Sequence, residues 1–256
     1  MRKIEKQSEP TALTNYRNEQ KKNKLALNFE NLPADVKAII KKSLLEEQGY
    51  LCCYCMKKIE YDTMKVEHFK TQNQNQELVL DYHNLLGACE GNQKHNDKAK
   101  HHCDTCKGGD DFNDSFKSPA SKDFNLKISY VEVRSQKTYE EGKMLIKSAD
   151  FQVEFDCNKI KCDECKKEND KVFCHHKEAS LNLNEIDIIK KRYRIWKGVT
   201  DELSKASKKE TWSPRKAQEL IEKYQTKKEG KYPEFCEMVV FLLKKRFKNE
   251  LEKTHN

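Results

Sequence analysis

The fold is decided by a stretch that opens with Cys52-Cys53-Tyr54-Cys55 and closes with His102-Cys103-Asp104. Cys52 and Cys55 have the C-x-x-C spacing of a zinc knuckle, in which a tight turn aims two thiolates at one ion. Cys53 and Cys55 are too close together for the usual turn, so we favour Cys52 over Cys53. The opening of the stretch therefore predicts one side of a metal centre.

Further cysteines supply the other side of this centre. Cys89 is the next along the chain, and Cys103 and Cys106 repeat the C-x-x-C spacing. Five candidates thus compete for four places, and the fourth place is open to either Cys103 or Cys106. The close spacing predicts a structural zinc rather than free buried thiols.

An acidic residue and a histidine lie inside this cysteine frame. Glu67 and His68 stand at the end of a short strand predicted between Tyr61 and Phe69. Hydrolysis of a phosphodiester needs a base for the attacking water, and a histidine with an ordinary pKa of ~6.5 suits that task. A glutamate offers a hard oxygen to Mg²⁺ or a similar ion. Because neighbours on a strand face opposite sides, the two side chains need the local turn of a hairpin end to cooperate.

Two later polar residues complete the pattern. Asn84 is expected to hold the imidazole of His68 in place through a hydrogen bond. Asp104 is expected to complete the metal site from a helix that follows Cys103. Alone each signal is weak, since an Asn before Leu85-Leu86 is equally typical of a helix cap. Their order inside a zinc frame favours the catalytic interpretation.

These motifs resemble the HNH endonucleases, which have a ββα-metal core. The resemblance is closest to the PtuB-type HNH nuclease of Septu and retron-associated anti-phage systems. It is carried by Cys52-Cys53-Tyr54-Cys55, Val66-Glu67-His68-Phe69, Asn84-Leu85-Leu86, Cys89, His102-Cys103-Asp104 with Lys107, and also Met1-Arg2-Lys3-Ile4 and Leu181-Asn182-Leu183-Asn184. It implies an α+β chain: a zinc-stabilised ββα core with flanking helices, a small added β region and a helical C-terminus.

The resemblance also implies roles. His68 would be the general base, Asn84 would orient it, and Glu67 and Asp104 would bind a catalytic Mg²⁺ or Mn²⁺. The structural zinc would take Cys52, Cys55, Cys89 and Cys103. The resemblance implies DNA as the favoured substrate and an ABC or SMC-like ATPase (PtuA-type) as the partner that gates the nuclease.

The chain departs from the family pattern in two places. The third motif position is Asp104, where many HNH enzymes carry His or Asn. An insertion over 91–100 separates Cys89 from the closing motif. His95 and His102 therefore stay open as alternative metal ligands.

A second cysteine cluster lies outside the resemblance. Its four members are Cys157, Cys162, Cys165 and Cys174. The spacing of Cys162 and Cys165 is that of a knuckle, and Cys174 with Cys157 or a neighbouring His would close a second zinc site. The alternative is a Lys-rich loop with incidental thiols.

The remaining patterns divide the chain into four parts. We predict an N-terminal arm over 1–24, an HNH core over 25–117, a Cys-rich β insertion over 118–183 and a basic helical region over 184–256. Helices are expected over 33–48, from Asn184, from Ser213-Pro214 and from about Pro233. Strands are expected over 128–133 and 151–155.

The net charge of +8 is concentrated in the last part, where residues 187–256 hold 19 Lys or Arg against 11 Asp or Glu. Such a segment attracts a phosphate backbone without reading its sequence, although a solvated helical face is the alternative. This tail would bind nucleic acid or dock the ATPase.

The compartment follows from what the chain lacks and from its thiols. No apolar run approaches the ~18 residues of a membrane span, and the first residues lack the apolar core of a secretory signal. Eleven cysteines in such a chain are more typical of metal ligands and thiols than of disulfides. Cys236, the isolated one, is expected in the core. We predict a cytoplasmic protein without a membrane partner.

Two alternative functions stay open. The first is an HNH ribonuclease acting on RNA such as transfer RNA, because one-metal chemistry does not itself distinguish the sugar. The second is a non-catalytic zinc-binding adaptor that joins nucleic acid to a partner protein. The adaptor needs the zinc and the basic tail but has no use for Glu67, His68 and Asp104 together.

Overall fold

The structure is a computed structural model, and it describes residues 1–112, 116–124, 128–131, 139–140, 143–144, 152–155, 181–205 and 212–253. Its helices are α1 Thr11–Lys22, α2 Ala34–Glu47, α3 Cys103–Lys107, α4 Ile186–Lys205, α5 Pro214–Gln225, α6 Cys236–Arg246 and α7 Lys248–Lys253. Its strands are β1 Met64–His68, β2 Leu85–Cys89, β3 Ile128–Val131, β4 Tyr139–Glu140, β5 Lys143–Met144 and β6 Gln152–Phe155. Among the described helices, none combines the length and the apolar character that crossing a bilayer requires.

The described strands form three small antiparallel sheets of two strands each. β1 pairs with β2, β3 with β6, and β4 with β5. The predicted mixture of helices with small sheets is confirmed at this coarse level. The strands expected over 128–133 and 151–155 correspond to β3 and β6.

The β1–β2 pair lies at the centre of the cysteine-rich part. Met64 stands opposite Cys89 at one end of the pair, and His68 stands opposite Leu85 at the other. All five residues of β2 are buried, as expected for a strand that is covered on both faces. α2 and α3 both pack against β2. The elements follow one another in the order strand, strand, short helix, and the HNH core that the resemblance implies stays a prediction.

A glutamine side chain closes the free edge of β2. Gln48, directly after α2, donates from Nε2 to the carbonyls of Gly87 at 2.8 Å and Leu51 at 2.8 Å. Its Oε1 accepts from the amide of Gly87 at 2.6 Å. The side chain thus satisfies backbone groups that an edge strand would leave unpaired. This contact fixes α2 against the strand that carries Cys89.

α2 follows its predicted pattern except at one position. Val36, Ile40 and Leu44 are buried, and their spacing is that of one helical face. The apolar spacing from Val36 to Leu45 predicts Ile39 on this face as well, but Ile39 is 41% exposed. It lies one residue before Ile40, about 100° away around the helix, and so it points out of the core.

α4 follows its predicted pattern except at its start. The sequence predicts an inward stripe of Ile186, Ile189, Tyr193 and Trp196, and of these Ile189 and Trp196 are buried, Tyr193 is half-buried and Ile186 is 38% exposed. Ile188 and Arg192 are buried as well, so the buried face of the helix begins at Ile188. Glu185 rather than Asn184 caps α4, because its carboxylate accepts from the amides of Asp187 at 2.9 Å and Ile188 at 3.3 Å.

The last helices agree with the sequence patterns. Ser213 accepts from the amide of Lys216 at 3.4 Å and Pro214 is the first residue of α5. In α6 the buried set includes Cys236, which was expected in the core. The basic residues that the sequence places outward are all exposed: Lys244, Lys245, Arg246 and Lys248.

The segment before α6 packs against the first cysteine knuckle. The amide of Tyr232 donates to the carbonyl of Gly49 at 3.0 Å, and that of Phe235 donates to Met56 at 3.1 Å. A Cβ atom on Gly49 would lie 2.4 Å from the Tyr232 ring, so only glycine permits this approach. These contacts cross the domain boundary expected at 184, and the four-part division stays a prediction.

Candidate functional site

Four cysteines meet in the interior at one end of the β1–β2 pair. They are Cys52, Cys55, Cys89 and Cys103, and their sulfur atoms all lie within 4.8 Å of one another. The Cys52 and Cys103 sulfurs are 3.9 Å apart, and the Cys55 and Cys89 sulfurs are 3.8 Å apart. Four thiolates around a tetrahedral zinc, with Zn–S of ~2.3 Å, stand about 3.8 Å apart. The donor set therefore fits a zinc ion.

The knuckle that carries the first two ligands is a tight hairpin. The amide of Met56 donates to the carbonyl of Cys52 at 3.1 Å, and the amide of Cys52 donates to Lys57 at 2.9 Å. The amide of Lys57 points at the Cys55 sulfur, 3.5 Å away. Met56 takes a left-handed conformation with φ of 63°, which glycine would adopt without strain. The turn directs both sulfurs inward, as the C-x-x-C spacing predicts.

The third and fourth ligands come from β2 and α3. Cys89 is the last residue of β2, and Cys103 is the first of α3. The structure groups Cys103, not Cys106, with the other three sulfurs; Cys106 is half-buried, one turn further along α3. Cys53 is buried beside the site but stays outside the four-sulfur group. The choice of Cys52 and the implied choice of Cys103 agree with this geometry.

His102 supports the sulfur cluster from within the protein interior. Its Nδ1 lies 3.1 Å from the Cys103 sulfur and 3.8 Å from that of Cys89. Burial lowers the pKa of His102 to about 4, so the ring is neutral, and with the proton on Nδ1 it would donate to a zinc-bound thiolate of Cys103. Such a hydrogen bond spreads the negative charge that a four-cysteine site concentrates.

The predicted catalytic residues line a second feature, a shallow cavity of about 190 Å³ beside the end of β1. Glu67 and His68 reach it from β1, and Asp104 and Lys107 reach it from α3. Thr71, Gln72 and Asn73 of the β1–β2 loop and Gly108 and Gly109 after α3 complete its wall. Two residues that are neighbours on a strand thus face one cavity.

Glu67 is buried among donors. Its Oε1 accepts from the hydroxyl of Tyr54 at 2.8 Å and lies 2.8 Å from the ammonium of Lys107. Burial, followed by a hydrogen bond with Asp104, raises the pKa of Glu67 to about 8. The two carboxyl groups therefore share one proton at neutral pH, and Glu67 holds it.

Asp104 is the ionised member of this pair. Burial acts against its charge, but the hydrogen bond from Glu67 and the ammonium of Lys65 outweigh it and hold the pKa of Asp104 below its usual value. Two adjacent carboxyl groups on a strand and a helix are a hard-oxygen donor set for a divalent ion. The described residues contain one group of three or more close His, Cys, Asp or Glu donors, and it is the cysteine site.

The imidazole of His68 is fixed on two sides. Its Nε2 lies 2.9 Å from the carbonyl of Val79, and the ring of Phe29 stands perpendicular to it with centroids 5.0 Å apart. A carbonyl oxygen only accepts, so Nε2 carries the proton and Nδ1 keeps a free lone pair. Burial also lowers the pKa of His68. The ring is therefore held as a neutral base.

The expected hydrogen bond from Asn84 to the imidazole is not formed, since Val79 orients the ring instead. The Asn84 amide accepts from the backbone of Lys70 at 2.8 Å, and donates to the carbonyls of Lys70 at 2.9 Å and Leu78 at 3.2 Å. Asn84 thus closes the loop between β1 and β2, and acts on His68 only through the position of Val79.

The alternative histidine ligands are not part of the cavity. His95 is exposed and contacts its own loop, where its Nδ1 accepts from the amide of Asp97 at 3.0 Å. His102 faces the sulfur cluster, as described above. The second cysteine cluster, Cys157, Cys162, Cys165 and Cys174, lies outside the described residues, so the second zinc stays a prediction.

The sequence pattern did not predict two residues of the site. Tyr54 lies inside the knuckle, and nothing in the pattern marks it as a donor to Glu67. Lys65 precedes Glu67 by two positions on β1, and residues two apart share a face of a strand. That spacing was the available signal for a lysine beside the carboxyl pair.

Comparison of the chain with protein-family models gives no match, and comparison with curated proteins gives none either. The reaction that this chain could catalyse is therefore argued from the chemistry of the two sites.

Proposed function

We propose that this chain is a metal-dependent endonuclease of the HNH kind that hydrolyses phosphodiester bonds, most favourably in DNA. The observation that carries the proposal is the shared cavity of Glu67, His68 and Asp104, formed by a strand pair and a short helix next to a four-cysteine site. An adaptor without catalysis has no need of a neutral histidine beside one buried and one half-buried carboxyl group.

In this proposal His68 is the general base. The unprotonated Nδ1 takes a proton from the attacking water, because Nε2–H is committed to the Val79 carbonyl 2.9 Å away. Phe29 packs against the ring and keeps it from turning. A base within hydrogen-bond reach of its water contributes roughly 10²- to 10⁴-fold to such a reaction.

Glu67 and Asp104 would hold a catalytic Mg²⁺ or Mn²⁺. When bound, such an ion offsets the charge that develops on the phosphate and on the leaving oxygen. The protein contributes by fixing the two carboxyl groups: Tyr54 donates to Glu67, and α3 begins at the cysteine that precedes Asp104.

The zinc would be structural. Four cysteine ligands leave no open position for a substrate, and they join the knuckle, β2 and α3. Asp104 directly follows the ligand Cys103, so the zinc would also set the position of this carboxylate. A thiolate site needs reduced thiols, which agrees with the cytoplasmic setting predicted from the sequence.

The biological role in this proposal is that of an effector in a two-component anti-phage system with an ABC or SMC-like ATPase. The exposed basic residues at the end of α6 would contact nucleic acid or this partner. The proposal for role and partner rests on the motif resemblance.

The experiment is a cleavage assay with two substrates. Plasmid DNA and a total RNA pool are incubated with the wild type and His68→Ala in Mg²⁺ or Mn²⁺, with and without an ABC or SMC-like ATPase of the proposed kind. We expect DNA nicking by the wild type that falls by at least about 100-fold in the variant. His83→Ala is the matched control, since His83 is exposed at the surface.

Cleavage that survives in His68→Ala would contradict the mechanism. Cleavage of RNA alone would keep the mechanism and replace the substrate. If neither pool is cut in any mixture, the adaptor alternative takes the place of this proposal.

A further inference from the structure

Each carboxyl group of the cavity is already paired with a lysine. The ammonium of Lys107 lies 2.8 Å from Glu67 Oε1 and donates to the carbonyl of His68 at 2.9 Å. Lys65 forms an ion pair with Asp104 and donates to the hydroxyl of Thr105 at 3.3 Å. The two carboxyl groups and the two ammonium groups therefore form one compact cluster.

The Lys107 pair is secluded from water. The side chain of Lys107 is 2% exposed and that of Glu67 is 3% exposed. Charges in such a setting interact far more strongly than at a surface, because solvent does not screen them. Lys65 and Asp104 lie nearer the surface, with side chains 30% and 18% exposed.

We propose that Lys107 and Lys65 act as resident cations that compete with the divalent ion for Glu67 and Asp104. This inference rests on the proposed function, and it assigns Lys107 to the carboxyl pair rather than to a phosphate of the substrate. The free chain would hold Mg²⁺ or Mn²⁺ weakly, since an ion that enters between the carboxyl groups meets two ammonium groups at close range.

The competition follows from charge and from space. Lys107 occupies a donor position on the same oxygen, Oε1, that Tyr54 also contacts, and a metal ion at that oxygen would need the ammonium to move. A divalent ion carries twice the charge of the proton or lysine that it replaces, so the repulsion from any lysine that remains is large. Removing a lysine should therefore strengthen metal binding.

The test measures Mn²⁺ affinity by electron paramagnetic resonance, with the full zinc-loaded chain and no nucleic acid. Lys107→Met removes the charge and keeps the length of the side chain, whereas Lys107→Arg keeps the charge. We expect Lys107→Met to bind Mn²⁺ about tenfold more tightly than the wild type, Lys65→Met to move in the same direction, and Lys107→Arg to stay near the wild type. Lys248→Met, on the exposed face of α7, is the control.

The competition between lysine and divalent ion can be tested even if Lys107→Met does not fold. Zinc content and circular dichroism report whether each variant is folded. If Lys107→Met is not, Lys65→Met decides alone, because the partly exposed Lys65 is removed at less structural cost.

The outcomes separate this inference from the proposed function. Equal or weaker Mn²⁺ binding by the lysine variants, together with at least tenfold weaker binding by Glu67→Gln, overturns the competition and leaves the metal site in place. If Glu67→Gln binds Mn²⁺ as the wild type does, the carboxyl pair holds no divalent ion, and both proposals fail.

Discussion

Cys103 joins the two sites at the scale of a single residue. It has a left-handed backbone conformation with φ of 54°, is fully buried, and places its sulfur 3.9 Å from that of Cys52. The next residue, Asp104, lines the cavity that Glu67 and His68 also line. One dipeptide thus links the four-cysteine site to the carboxyl pair.

The identity of the fourth ligand gives a prediction at this scale. Cys103→Ser should reduce bound zinc by about one ion per chain, because a serine hydroxyl is a poor zinc ligand beside three thiolates. Cys106→Ser is the matched control and should keep the full zinc content, since the Cys106 sulfur is not among the four that meet. Native mass spectrometry of both variants measures the stoichiometry. Zinc loss in the Cys106 variant alone would refute the ligand set.

The loop between β1 and β2 is the element that positions the imidazole of His68. It carries Val79, whose carbonyl fixes the tautomer of His68, and its two ends are joined by the side chain of Asn84. Asp111 holds the loop from the other side, since it accepts from the amide of Thr71 at 2.6 Å and from Asn75 at 2.7 Å. Two side chains therefore hold the loop in place: that of Asn84 at its end and that of Asp111, which follows α3.

Asn84→Ala should loosen this loop. Three hydrogen bonds to part-buried backbone groups are lost, and each group left unsatisfied costs up to about 1–3 kcal/mol. We expect faster hydrogen exchange at the amide of Lys70 and a lower rate of any cleavage reaction. Asn73→Ala, an exposed change in the same loop, should leave the exchange of Lys70 unaltered. Equal exchange in both variants would argue against the role given to Asn84.

The turn after β2 depends on a glycine at position 91. Gly91 has φ of 59°, and a Cβ atom there would lie 2.2 Å from the carbonyl oxygen of His102. Gly91→Ala should therefore destabilise the protein by at least about 1–3 kcal/mol, from backbone strain with a clash added.

The control for Gly91 lies in α4. Around Gly198 nothing stands within 4 Å of a Cβ atom, so Gly198→Ala should stabilise the helix by about 0.5–1 kcal/mol. Urea unfolding of the two variants should show shifts of opposite sign. A Gly91→Ala protein as stable as the wild type would mean that the close approach to His102 is not present.

The N-terminal arm joins distant parts of the whole molecule. Lys6 donates to Glu47 of α2 at 2.6 Å and to the carbonyl of Leu85 in β2 at 2.9 Å. Tyr82 donates to the same carboxylate at 2.9 Å. Arg2 pairs with Glu237 of α6. The arm thus connects the cysteine-rich part to the C-terminal helices.

The buried ion pair of Lys6 and Glu47 can be tested by its contribution to the stability of the whole molecule. Its side chain is 4% exposed and that of Glu47 is 0% exposed, so Lys6→Met leaves a buried carboxylate without its cation and should cost about 3–5 kcal/mol of stability. Lys6→Met with Glu47→Gln should recover part of this loss, because the uncompensated charge is gone. Lys3→Met, a change at an exposed side chain, is the control. Thermal unfolding measures all three, and a double variant no more stable than Lys6→Met would contradict the account.

The chemistry of the metal ligands could be predicted from the sequence because it depends on short spacing. A C-x-x-C turn places two sulfurs together whatever surrounds it, and the apolar period of α6 marks its buried face. The sequence also placed Glu67 and His68 at the end of a short strand, and β1 ends at His68; their catalytic role stays a prediction.

The tertiary structure alone decided which groups face each other. The choice of Cys103 over Cys106, the backbone partners of Asn84, and the pairing of Lys107 with Glu67 and of Lys65 with Asp104 all depend on how α3 and the β1–β2 loop pack on the strand pair. A hydrogen bond or ion pair across that packing joins residues up to 40 positions apart in these cases. Sequence periodicity indicates which face of a helix or strand is buried. It does not indicate which residue of another element comes within 3 Å of a given side chain on that face.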